Sequence, residues 1–404
     1  MRIANLNAYK LKLDARGSAA WQARVTAVHE IGPHILGLQE VVVDESATAT
    51  EEWDESAAET IKAFAADCGL TASVEATPGY PYGAAMAANS HRPWYTALLW
   101  DPNAAEVVPG SYRPYGAPDF WHGFTTARFD IGACEPVTVG SYHGDPFRPD
   151  FRANEALRVK GIYRRTGGAK PGFVIGDFNA PSAATVTESG VQRYYDAEPY
   201  LDQDHDDLEF QMIPDTIGGE QLADRRQTHA LLRRGFLVDA AVHLRVPSHP
   251  TVGHWEDGRG DPDPWGPRRI DLILATRPAA PALVRYGVHR STAAEAGSDH
   301  LPLWVDVDPS KISREFAIAE GPTGRNSQGD AVGGQGLVRG SGTRALNLGA
   351  RSASSEREPA ERQDSPGPCS HGRPAVSRRA AKPPTTRPTY PATTFCASRW
   401  TANV

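Results

Sequence analysis

The chain has 404 residues, with 42 Lys+Arg against 49 Asp+Glu and a formal net charge of −7. The balance is uneven: residues 311–404 hold 14 basic and 7 acidic side chains, which leaves 28 basic against 42 acidic in residues 1–310. An acidic body repels nucleic-acid phosphates and anionic membranes unless a cation or a local basic groove intervenes. It also lacks any run near the ~18 apolar residues of a membrane span.

Arg2-Ile3-Ala4 reads as the start of a strand over residues 2–7 rather than as a leader. The expectation is therefore a cytoplasmic protein, with secretion if the true start lies upstream. Trp21, Val25, Val28 and Ile31 recur at helical spacing, so residues 19–32 are predicted as a helix stopped by Gly32-Pro33. A buried strand follows at 35–38, then a helix over 51–68 that is acidic at its start, as the helix dipole favours. Strands are predicted at 95–100, 125–131 and 137–142, and a basic amphipathic helix at 152–165. A strand at 173–175 and a helix at 221–234 come next, then strands at 270–275, 284–289 and 301–307. Interleaved strands and helices place the body in the α/β or α+β class, and about 310 residues suffice for one large core. Two long segments, 194–220 and 245–268, break the pattern and read as insertions at the rim of a site.

Cys68, Cys134, Cys369 and Cys396 have no metal-ligand spacing. Buried thiols are expected rather than a disulfide framework. Apolar periodicity fades near Pro309, and residues 311–404 are rich in Gly, Ser, Arg, Pro and Thr, so this low-complexity basic tail is expected to be disordered. Limited proteolysis is expected to trim the chain to a stable body of about 310 residues. A resistant fragment lying wholly within residues 320–404 would refute that boundary.

Polar groups cluster at the ends of the apolar strands: Asn5-Leu6-Asn7, Leu38-Gln39-Glu40, Tyr142-His143-Gly144-Asp145, Gly176-Asp177-Phe178-Asn179 and Ser298-Asp299-His300. Asp271 adds a carboxylate within a strand, which is unfavourable there without a partner. Carboxylate oxygens suit Mg²⁺, His and Asp handle protons, and Asn donates to phosphoryl oxygens without adding charge. Taken singly, Asp177 and Asn179 suit a turn after a strand, and Glu40 suits a solvated strand end.

The ordered set resembles the endonuclease/exonuclease/phosphatase superfamily over roughly residues 1–308. Gly-Asp-Phe-Asn and Ser-Asp-His-x-Pro are its most specific motifs, with Leu-Gln-Glu after a helix in support. The resemblance implies a deoxyribonuclease I-like, four-layer sandwich of two packed mixed β-sheets flanked by helices. It implies a metal-dependent phosphoesterase using Mg²⁺ (or Mn²⁺). Glu40 becomes the main metal ligand, with Asn7 helping to hold metal and phosphate and Asp299 contributing to metal or water positioning. Asp177 becomes the base for the attacking water, with Asn179 orienting it. His143 becomes a phosphate contact or proton donor, and Asp271 supports a cationic His300. Two positions depart from the pattern: Tyr9 stands where abasic-site enzymes carry Asp, and Trp94 where deoxyribonuclease-type enzymes carry the Glu that pairs the first His.

The basic run Arg148, Arg152, Arg158, Lys160, Arg164 and Arg165 reads as a solvated helix face. Arg148 and Arg152, nearest the His143 loop, are placed to meet a substrate phosphate. His249, His254, Trp255 and Trp265 read as loop packing ahead of a second metal or an aromatic clamp. Expected substrates are phosphoesters: nucleic acid, a nucleotide, a phospholipid headgroup or a sugar phosphate. A monomer without a membrane span is expected. A catalytically silent binding module on the same fold is the alternative, which loss of Glu40, Asp177 or His300 would have signalled.

Overall fold

The computed structural model describes residues 1–313 except 78, 88, 89, 201–208, 214–221 and 256–264. The chain divides into Met1–Glu320 and Gly321–Val404. The basic tail, from residue 314 on, lies outside the described residues.

In chain order the first elements are β1 (Arg2–Leu11), α1 (Ala19–Ile31), β2 (Ile35–Val42), α2 (Trp53–Asp67) and β3 (Trp94–Trp100). Strands β4 (Glu106–Val107), β5 (Arg113–Tyr115), β6 (Gly123–Asp130) and β7 (Val137–His143) precede α3 (Pro149–Ile162). Next come β8 (Arg164–Arg165), β9 (Gly168–Ala169), β10 (Gly172–Asp177), β11 (Thr185–Glu188) and β12 (Val191–Tyr194). The series closes with α4 (Arg226–Leu232), β13 (Leu237–Asp239), α5 (Ala240–His243), β14 (Asp271–Thr276), β15 (Leu283–Val288), α6 (Thr292–Gly297) and β16 (Leu303–Val307).

One sheet runs β15-β16-β1-β2-β3; the other runs β13-β14-β10-β7-β6-β4, with β5 beside β6. Both are mixed. The parallel pairs β1–β2 and β7–β10 need a crossover, which α1 and α3 supply. The expected four layers are present. Ile3, Ile35, Val139, Phe173, Ile175 and Ile273 fill the space between the sheets. Trp21, Val25, Ile61 and Phe64 of α1 and α2 cover the outer face of the first sheet. Val159, Tyr163 and Leu231 of α3 and α4 cover that of the second.

Alternation along each strand sets the site. In β1, Ala4, Leu6 and Ala8 face the helices, so Ile3, Asn5 and Asn7 face the other sheet. The same rule turns His143 of β7 inward with Val137 and Val139, and Asp177 of β10 inward with Phe173 and Ile175. Each inner face is apolar at one end and polar at the other, and the polar ends coincide. Beneath them runs a buried belt in which Gln39 Nε2 donates to Asn5 Oδ1 and Ser141 Oγ, both at 2.8 Å. The sheets approach closely there, for a Cβ on Gly37 would lie 2.7 Å from the Ile175 side chain.

Several sequence expectations are corrected. The helix expected at 152–165 is α3, three residues earlier. The one expected at 221–234 shortens to α4, with Gln221 outside the described residues and Arg234 in the left-handed region at φ 60°. Cys68 is a buried thiol, but Cys134 is exposed. No helix among the described residues is long and apolar enough to cross a membrane.

Candidate active site

β2 departs from alternation where the site needs it. Leu36 and Leu38 face the helices, so regular pleating would send Glu40 there too. Instead Glu40 has φ 57°, and the register of β2 on β3 slips between Leu38 and Val41. β1 slips opposite it, between Asn7 and Leu11, with Tyr9 and Lys10 at φ 45° and 55°. Bulges re-aim side chains. Here they bring Glu40 Oε1 to 3.1 Å from Asn7 Nδ2, which also donates to Asp177 Oδ2 at 3.1 Å. One amide thus ties the first sheet to the second. Each left-handed non-glycine residue costs roughly 1–2 kcal/mol, which the surrounding bonds offset: Tyr9 N donates to Asn7 Oδ1 at 3.1 Å and Lys10 N to Glu40 Oε2 at 3.2 Å.

Asp177 ends β10. Its Oδ1 accepts from Asn179 N at 2.8 Å, and Asn179, itself left-handed at φ 49°, donates through Nδ2 to Gly144 O at 3.0 Å. Gly176 permits the close pairing of β10 with β7, since a Cβ there would lie 1.9 Å from the Tyr142 carbonyl oxygen. Asp177 Oδ2 is 3.5 Å from His143 Nε2 and 3.9 Å from His300 Nε2. His300 Nδ1 bonds Asp271 Oδ2 at 2.8 Å. Thr251 Oγ1 accepts Asp271 N at 3.2 Å, and Ser298 Oγ donates to Asn7 O at 2.7 Å. The 245–268 insertion therefore does flank the site. Trp255 packs edge-on against Tyr9, 4.9 Å between ring centres, and His254 Nε2 lies 3.0 Å from Ser298 O.

Crowded, buried carboxylates hold their protons more tightly. Burial, with the neighbouring Asp299 charge, pushes Glu40 up to about 7. Burial pushes Asp177 up to about 7 against the opposing His300 charge, and it raises Asp299 as well. For His300, burial disfavours the cation, but Asp271, Asp299 and Asp177 together lift it well above its ordinary value. His143 moves the other way, kept well below its ordinary value by burial and by the His122 and His300 charges.

Ligand atoms of Glu40, His143 and Asp177 come within 4.8 Å of one another, as do those of Asp177, Asp271 and His300. Hard carboxylate oxygens pressed together suit a hard divalent cation such as Mg²⁺ or Mn²⁺, which would relieve their mutual repulsion. Asn7, Glu40, His143, Asp177, Asn179, Asp271, Asp299 and His300 thus converge.

Arg152 does not join them. Arg152 is fully buried, its Nη1 donating to Asp145 O at 2.8 Å and its Nη2 to Phe210 O at 3.2 Å. It is a bracket between a loop and an insertion, not a surface phosphate contact. Arg148 pairs with Asp145 at 2.7 Å, its guanidinium over the rings of Trp121 and Phe151.

His122 escapes sequence reading. Its ring centre lies 4.0 Å from that of His143 and 5.6 Å from Trp94, on which it stacks. An imidazole backed by an indole thus occupies the flank of His143, and the available signal was a His just before β6. Arg24 escapes as well. This nearly buried residue of α1 donates from Nη2 to Tyr9 O at 2.9 Å.

The family model described as "Endonuclease/Exonuclease/phosphatase family" matches residues 4–300. No curated protein matches significantly. Among solved structures, a mannosyl-6-phosphatase from Bacteroides thetaiotaomicron VPI-5482 is 16% identical, with a TM-score of 0.45 over 76% of this chain and 99% of that one. A 3′ phosphatase from Neisseria bound to a product DNA hairpin is 18% identical, with a TM-score of 0.46 over the same shares, 76% and 99%. An AP endonuclease from Archaeoglobus fulgidus is 18% identical, with a TM-score of 0.44, again over 76% and 99%.

Proposed function

The chain belongs to the endonuclease/exonuclease/phosphatase family, and on that footing we propose that it hydrolyses a phosphoester bond by in-line attack of water, with a divalent cation and no covalent enzyme intermediate. The observation carrying this reading is the single amide of Asn7 joining Glu40 to Asp177, with His300 and its Asp271 partner beside them. Asp177, pushed up to about 7, is a competent base near neutral pH and takes the proton of the attacking water. Asn179 and Asn7 fix its two oxygens. Asp271 holds His300 Nδ1, so that Nε2 faces the site and the imidazolium stabilises charge developing on the phosphoryl oxygens. His143, held neutral by burial, serves as a phosphate contact rather than a proton donor. Mg²⁺ or Mn²⁺ at Glu40, with Asn7 and Asp299, would supply Lewis-acid stabilisation of the same oxygens.

The acidic body and the inward turn of Arg152 favour a small or already exposed phosphoester (a nucleotide, lipid headgroup or sugar phosphate) over duplex DNA. The test is a panel of plasmid DNA, abasic DNA, RNA, sphingomyelin, inositol phosphates and nucleotides, each with Mg²⁺, with Mn²⁺ and with excess chelator. At least one substrate is expected to turn over with metal and none in chelator. Unchanged turnover in excess chelator would overturn the mechanism.

A further inference from the structure

We infer that Arg24 is a positioning residue for the metal-binding carboxylate Glu40, acting through the Tyr9–Lys10 peptide group. The inference rests on the reading of Glu40 as a metal ligand. The carbonyl of that peptide accepts from Arg24 Nη2 at 2.9 Å, and its N–H donates to Glu40 Oε2 at 3.2 Å. One planar amide therefore lies between a cation and the carboxylate. Donation to the carbonyl polarises the amide and strengthens the N–H as a donor. It also holds two consecutive residues, Tyr9 and Lys10, in the left-handed backbone that side chains disfavour, at φ 45° and 55°.

Arg24 is itself held in place. It is 5% exposed, and a Cβ added at Gly297, just before Ser298-Asp299-His300, would lie 3.1 Å from its Cγ. The guanidinium lies in the fields of Asp299 and Glu40. Its Nε is buried without a hydrogen-bond partner among the described residues. A buried guanidinium with an unspent donor beside two carboxylates is unfavourable as mere packing. The positioning role gives that buried charge a use, since losing a group that orients a metal ligand typically weakens metal binding by about 10–100-fold.

The test is titration of the metal-free full-length protein with Mg²⁺ and with Mn²⁺ by calorimetry, with no substrate present. Arg24→Met is expected to weaken binding about 10–100-fold. Arg24→Lys, which keeps the charge and one donor, is expected to recover part of that loss. Glu40→Gln serves as the reference that removes the ligand itself. Denaturant unfolding in chelator is measured alongside, because a merely structural role would lower stability without selectively weakening metal binding. If Arg24→Met does not fold, Arg24→Gln, which keeps most of the stem and an uncharged donor, takes its place with the same expected direction. Unchanged or tightened metal binding in a folded Arg24 variant overturns the inference. Metal binding that survives Glu40→Gln would instead overturn the assignment of Glu40, so the two failures are distinguishable.

Discussion

Changing Asp177 to Asn is expected to lower kcat by about 10²–10⁴-fold, the usual worth of a positioned general base. The substitution keeps the shape and most of the bonding of the side chain. One oxygen still accepts from Asn179 N, whereas the new amide nitrogen replaces the oxygen that accepts from Asn7 Nδ2. That juxtaposes two donors, a local penalty of about 1–3 kcal/mol. Removal of a buried, crowded negative charge works in the other direction. Thermal unfolding should therefore shift little, and substrate affinity should hold or improve, because an anion approaches a less negative site. Measuring kcat, affinity and thermal unfolding together separates the possibilities. Near-normal kcat would remove Asp177 from the chemistry, and inactivity caused by unfolding would reduce it to a turn residue.

His300→Ala and Asp271→Ala should each lower the rate by about 10²–10³-fold, the scale of a lost preorganised charge-stabilising group. The double variant should be little worse than His300→Ala alone. The 2.8 Å contact between Nδ1 and Oδ2 makes the pair one unit, and groups acting as a unit are non-additive. Asp271 has little effect of its own once the imidazole is gone, apart from a carboxylate left buried without its partner. If the two losses in log rate simply add, the pair acts as two independent groups.

Most of the converging residues were legible because each lies at the end of an apolar run, where period-two alternation already says which way a side chain points. Asp177, His143 and Asp271 follow that rule. Glu40 was legible only as a motif, since strict alternation in β2 would turn it toward the helices. The backbone slip that redirects it is made by two strands together and has no signature in either alone. Arg152 was misread for a related reason. A helix turns about 100° per residue, so a run of basic residues cannot all share one face, and the run alone does not say that Arg152 points inward to Asp145 and Phe210. His122 and Arg24 act on groups 21 and 15–16 positions away, across a strand pairing and a helix–sheet contact. Nothing in the local sequence marks either link.

The two sheets supply the site in nearly equal parts, and the slab that includes Ile3, Ile35, Val139, Phe173, Ile175 and Ile273 helps to set how far apart they stand. That slab is a spacer as well as a source of stability. The 3.1 Å reach from Asn7 to Asp177 is the visible end of a separation fixed by packed hydrocarbon several residues below. Interiors are close-packed and transmit changes of volume rather than absorbing them. A methylene removed or added deep between the sheets would arrive at the catalytic end as a change in calibration, felt by the chemistry while every polar residue is still present and the protein is still folded.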